Sequence, residues 1–207
     1  MEIHYEYCAF RFLELWEKYE KDLHNDMQGT PSGYQVRNVL NHYRVARNFK
    51  GLSDEFAEKI SAHLVEVSDS HGQPADKVIE LAGRFEKDFE QLNLSAASKL
   101  LWLRNQSPYR IYDAQAIKGL RRLGKFHRGD YKSYGEAWER EYETRSGEIS
   151  LAARGLVNLP RNYMRDSSLS GDQLTKLVQA KWFRERVFDI YLWEIGSAKN
   201  AEAIRES

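Results

Sequence analysis

Hydrophobic residues recur along this chain at intervals of three and four, the period of helices that each turn one face to a core. In residues 5–23, Phe12, Leu15, Trp16 and Tyr19 mark one such face. The run Gly29-Thr30-Pro31-Ser32-Gly33 interrupts the pattern, and a second helix is expected over residues 34–49 with Val36, Val39, Leu40 and Tyr43 turned inward. Ser53 is positioned to cap a third helix, whose stripe is Ile60, Leu64 and Val67. After a loop at residues 68–72, Pro74 opens a fourth helix with Val78, Leu81, Phe85 and Phe89.

Ser95 is the expected cap of the next helix, which ends before Pro108 because the residue preceding a proline is pushed out of helical dihedrals. Residues 109–112 read as short and extended, and Asp113 can cap a helix over residues 114–123. A loop is expected at 124–135, then helices at 135–143 and 148–156, a loop at 158–170, and a last long helix over 171–195. No period-two strand pattern persists and no internal repeat is visible, so the expected fold class is all-α.

Composition narrows the function. The chain has 207 residues, 42% of them hydrophobic and 13% aromatic, enough for a buried core in one domain or two small lobes. Cys8 is the single cysteine, which excludes an intramolecular disulfide. The six histidines, His4, His24, His42, His63, His71 and His127, fall at no metal-ligand spacing, and no phosphate-cradling glycine loop is present. No metal or nucleotide cofactor is therefore expected. The N-terminus lacks the basic segment and cleavage site of a signal peptide, and no apolar run reaches membrane length, so the expected location is the cytoplasm.

Net charge is zero, yet it is unevenly spread. Residues 99–132 carry nine basic and two acidic side chains, whereas residues 1–98 carry 11 basic and 17 acidic. Such a block fits docking of a polyanion in one orientation, or pairing with the chain's own acidic half. Inside it, Lys99 lies on an otherwise apolar helix and Asp113 stands isolated from other acids at a helix start.

The segments LSAASKLLWL, PYRIYDAQAIKGL and WFRERVFDIYLWEIG resemble the helix-hairpin-helix DNA glycosylase superfamily, in particular its compact bacterial members related to 8-oxoguanine DNA glycosylase. In that superfamily an aspartate begins the helix after the hairpin unit, and lyase-competent members place a lysine early in the second hairpin helix; Asp113 and Lys99 match these positions. The resemblance implies two helical lobes flanking a cleft within one domain of residues 1–207, lobes at about 1–90 and 91–207, and the catalytic motif at 90–123. Two departures stand out. The hairpin lacks the family's glycines, and Lys99 and Asp113 are closer in sequence than usual.

The implied activity is excision of a modified nucleobase from duplex DNA. The base is an oxidised purine in repair, or a hypermodified cytosine in defence against phage. Breaking the N-glycosidic bond develops positive charge on the sugar, which a preorganised carboxylate at Asp113 stabilises. Asp113 is equally a good helix cap, and the two roles are compatible. Lys99 is a candidate Schiff-base nucleophile, an electrostatic helper, or a lysine that pairs or snorkels. Tyr109, Tyr112, Trp102, Phe188 and Trp193 are candidates to hold a flipped base or fill its gap, with Phe188 and Trp193 equally readable as core. Phosphate contacts are expected from Ser95, Ser98, Arg104, Arg110, Lys118, Arg121, Arg122, Lys125, Arg128 and Lys132. The rival reading is a non-catalytic helical module that binds DNA or another protein.

Overall fold

A computed structural model of the chain describes residues 3–49, 51–126, 129–159 and 169–198. The described residues form ten α-helices and no strand, in line with the expected all-α class. They are α1 Tyr5–Leu15, α2 Lys21–Asp26, α3 Gly33–His42, α4 Asp54–Asp69, α5 Pro74–Phe89, α6 Leu94–Asn105, α7 Ala114–Arg122, α8 Tyr131–Gly155, α9 Gly171–Gln179 and α10 Lys181–Ser197. A π turn over Trp16–Glu20 joins α1 to α2 where one unbroken helix was expected. The chain divides into two compact units, one of residues Tyr19–Tyr112 and one of Met1–Lys18 with Asp113–Ser207. The division therefore falls at 112/113, beyond the expected lobe boundary near residue 90, and the N-terminal helix joins the C-terminal unit.

In the unit of residues 19–112, side chains close most of the helix starts. Ser32 and Gln35 form a reciprocal capping box on α3, and Ser53 accepts from the Phe56 amide on α4. Helix α3 stops at His42, short of the expected residue 49, as Arg44 takes a left-handed φ of 55°. The cap of α6 is Asn93, whose side-chain oxygen accepts from the Ala96 amide at 3.0 Å. Ser95, the expected cap, lies two residues too far along and is already helical. Helix α6 has no polar face: residues 96–103 are all buried, the mark of a helix that neighbours surround. Val36, Leu40, Ile60, Leu64, Leu81 and Phe85 supply the apolar faces of its neighbours.

In the other unit α10 occupies the central place, with eleven of its seventeen residues buried. It crosses α7 at very short range. A methyl group at Gly119 would strike the Leu192 carbonyl, and one at Gly196 would strike the carbonyl of Gln115. Trp138 and Tyr142 of α8 stack on each other and meet Phe188 of α10, and the Trp138 indole donates to Asp189 at 2.8 Å.

Two helix boundaries differ here from those expected. Residues 131–155 form one helix, because the buried stripe Tyr134, Trp138, Glu141, Tyr142, Ile149, Ala152 and Ala153 keeps its period through the polar residues 143–148. Within that stretch Arg145 bonds Glu141 one turn back at 2.6 Å. The expected last helix is instead two, broken at Ala180 with an extended ψ of 136°. Helix α9 buries only Leu174 and Val178, whereas α10 is buried nearly all round, and one straight axis cannot serve both environments. Most of the expected loop at 158–170 lies outside the described residues.

Candidate functional site

The hairpin of α5 and α6 places the first group of candidates within residues 19–112. Lys99 sits on the second turn of α6 with 4% of its surface exposed. Its Nζ donates to the Ser95 hydroxyl at 2.7 Å and lies 5.8 Å from the centre of the Tyr43 ring. The burial follows from the helix itself, since Ala96, Ala97, Leu100 and Leu103 leave no solvent-facing side. Tyr43 carried no signal for this role in the sequence, where its spacing marked it only as core.

Ser98 is fully buried. Its hydroxyl donates to the Ser95 carbonyl at 3.2 Å and accepts from the Tyr112 amide at 2.9 Å. That second bond pins the extended segment 109–112 to α6, one residue before Asp113. Tyr109 and Arg110 are buried, Tyr112 is half-buried, and Trp102 is inside the core of this unit. Burial also raises the Tyr109 phenol above its ordinary value. Arg104 is engaged with the loops of its own unit. It donates to the carbonyls of Met27, at 3.0 Å, and Gly29, and to the Ser68 hydroxyl at 2.9 Å.

The second group lies on α7 and the elements around it. Asp113 has extended dihedrals and caps α7, its Oδ1 accepting from the Gln115 amide at 2.8 Å. The side chain is half-buried, so it retains access to solvent. The inner face of α7 is Ala116, Gly119 and Leu120, which turns Lys118 and Arg121 outward. Arg121 also lies 5.9 Å from the centre of the Phe126 ring. Lys125 is exposed 3.6 Å from a buried Glu141 carboxylate oxygen, and Lys132 is exposed on the first turn of α8.

Arg122 has another task. Its guanidinium donates to the carbonyls of Ile195 and, at 2.9 Å, Ala198, closing the last turn of α10. Phe188 is fully buried among Trp138, Tyr142 and Tyr191. Trp193 is about a third exposed, with the Arg11 guanidinium 5.1 Å from its ring centre. Arg128 lies outside the described residues.

No family model, curated protein or solved structure matches this chain.

The chemistry available is thus read from the side chains themselves. Among the described residues no group of three His, Cys, Asp or Glu side chains gathers to hold a metal ion, and no helix is long and apolar enough to cross a membrane. Burial pushes the Cys8 thiol up to about 12, which leaves it a neutral core group at physiological pH. The unit of α7–α10 offers a half-exposed carboxylate fixed by a backbone amide, followed by a helix whose outer face is cationic. Such a carboxylate suits stabilisation of a developing cation on a substrate that is itself polyanionic. The unit of α2–α6 offers a primary amine shielded from water, the setting in which a lysine becomes nucleophilic.

One residue that the sequence did not single out is Gln115. Its amide holds Asp113, and its side-chain oxygen is buried and accepts no hydrogen bond from any described group. A glutamine two positions after a cap carries no periodic or motif signal.

Proposed function

We propose that this protein is a DNA glycosylase of the cytoplasm that extrudes a modified base from duplex DNA and cleaves its N-glycosidic bond. The observation that carries the proposal is the setting of Asp113. It is a half-exposed carboxylate held at 2.8 Å by the Gln115 amide, at the head of a helix whose outer face presents Lys118 and Arg121. As the C1′–N bond lengthens, the deoxyribose gains positive charge, and a fixed carboxylate stabilises that state more than the neutral ground state. Cations on the outer face of α7 hold phosphates without reading sequence. Resemblance of the 94–123 segment to helix-hairpin-helix glycosylases supports the same reaction.

Lys99 supplies either the Schiff-base amine of a bifunctional enzyme or a fixed positive charge. Nicking without alkali, with borohydride trapping of a covalent adduct, belongs only to the first role. The substrate base is an oxidised purine or a hypermodified cytosine, that is, repair or phage defence.

Duplex oligonucleotides bearing each oxidised purine, and glucosylated phage DNA, provide the test, with base release and abasic sites as readouts. The expected outcome is release from one class by the native protein and none by Asp113→Asn, which still binds the same DNA. Asparagine caps helices about as well as aspartate, so Asp113→Asn should keep its melting temperature. Native-like base release by Asp113→Asn would remove Asp113 from the chemistry, and DNA binding without base release by the native protein would leave the non-catalytic module as the function.

A further inference from the structure

Resting on the glycosylase reading, we infer that Gln115 is the positioning residue for the water that attacks the sugar. Three observations converge on this side chain. The Gln115 amide N–H donates to Asp113 Oδ1 at 2.8 Å, so the residue is tied to the carboxylate. Its carbonyl lies against Gly196 so closely that no β-carbon fits between them, so the backbone has no room to shift. Its side-chain Oε1 is shielded from solvent and accepts no hydrogen bond from any described group.

Buried acceptors are almost always satisfied, and one left open on the residue whose amide holds a reacting carboxylate calls for a donor that arrives with the reaction. Water fits the chemistry. Hydrolysis of the bond forms C1′–O while C1′–N breaks, the bonding pair leaving with the base. One O–H of the water donates to Gln115 Oε1, which aims a lone pair at C1′. The other proton passes to Asp113 and then to solvent, and the departing base takes a proton from solvent. An amide oxygen holds and orients but does not accept the proton, so Gln115 acts through geometry while Asp113 carries the charge.

The test uses two substitutions of similar size. Gln115→Met keeps length and volume but removes the acceptor. It should lower kcat by about ten- to a hundredfold with KM for DNA unchanged. Gln115→Glu keeps an acceptor oxygen and sets a second negative charge beside Asp113. It should retain activity within a few-fold and move the acidic limb of the kcat profile to higher pH, because like charges raise one another's carboxyl pKa. A shifted limb shows that side chain 115 reaches Asp113, and retained activity beside the loss in Gln115→Met shows that the acceptor oxygen is what the reaction needs.

Thermal melting of both variants reports on folding. If Gln115→Met melts early, single-turnover base release measured below its melting transition still decides. Base release by Gln115→Met at the native rate overturns the inference and leaves the glycosylase reading intact. So does an acidic limb in Gln115→Glu that coincides with the native one. Failure of the native protein to release any base would end both.

Discussion

A methyl group added at Gly119 or Gly196 meets a backbone carbonyl of the facing helix, and carbonyls cannot rotate aside as a side chain can. Gly119→Ala and Gly196→Ala should each destabilise the protein by about 1–3 kcal/mol, the usual range for overpacking. Gly83 in α5 and Gly147 in α8 are also mid-helix, but an added β-carbon at either meets nothing within 4 Å. There the gain in helix propensity dominates, and alanine should stabilise by about 0.5–1 kcal/mol. Urea unfolding of the four single variants checks the opposite signs, and destabilisation at all four would refute the distinction. Asp113 was legible as a cap because an aspartate just before an amphipathic run can accept from the open amides of the first turn. Gly119 and Gly196 were not, because the reason for each lies on a helix far away in the sequence, at Leu192 and Gln115 respectively. Nor was the division of labour among the arginines visible: Arg104, Arg122 and Arg121 are alike in sequence, yet only Arg121 is turned outward.

Elements with one apolar face were readable, and elements buried all round were not. The single stripes of α4 and α5 gave their starts at Ser53 and Pro74 correctly. Helices α6 and α10 lack a polar face to set phase against. The cap of α6 was accordingly misplaced by two residues, and the break before α10 went unseen. Between α4 and α5, polar pairs add to the apolar contact. Arg84 binds Glu66 across the helices, and His63 Nε2 lies 2.7 Å from Asp88 Oδ2. The hydrogen bond from His63 holds the Asp88 carboxyl below its ordinary value. A carboxyl lowered in the folded state stabilises fully above its unfolded value of about 3.9, and that stabilisation is lost as pH falls through the folded value. Native protein should therefore exceed Asp88→Asn in stability at neutral pH, with the gap closing below about pH 4. Urea midpoints measured from neutral to acid pH give this directly, and a gap independent of pH would show that the pair contributes nothing through ionisation.

For the molecule as a whole, zero net charge conceals a sorting of the basic block between interior and surface. Of its nine cations, Arg128 lies outside the described residues, Lys99 and Arg110 are buried, Arg104 is bound to loops of residues 19–112, and Arg122 closes α10. Lys118, Arg121, Lys125 and Lys132 are exposed, and all four belong to the unit containing α7–α10. A count from sequence alone would therefore overstate the electrostatic footprint on DNA about twofold. Each phosphate neutralised contributes about −0.9 to the slope of log affinity against log salt. Four surface cations bound the contribution of the eight described cations at roughly −3.6, where all eight would give about −7. Lys118→Gln and Arg121→Gln should each make the slope shallower by about 0.9, with little change in stability. Arg104→Gln and Arg122→Gln should leave the slope unchanged and lower the unfolding midpoint, because each leaves backbone carbonyls without a donor. Anisotropy titrations on a fluorescent duplex between about 50 and 200 mM salt measure the slope. If substitution at Lys118 and Arg121 left it unchanged while Arg104→Gln reduced it, the outer face of α7 would not be where phosphate binds. The assignment of Asp113 to a sugar on that DNA would then lose its electrostatic support.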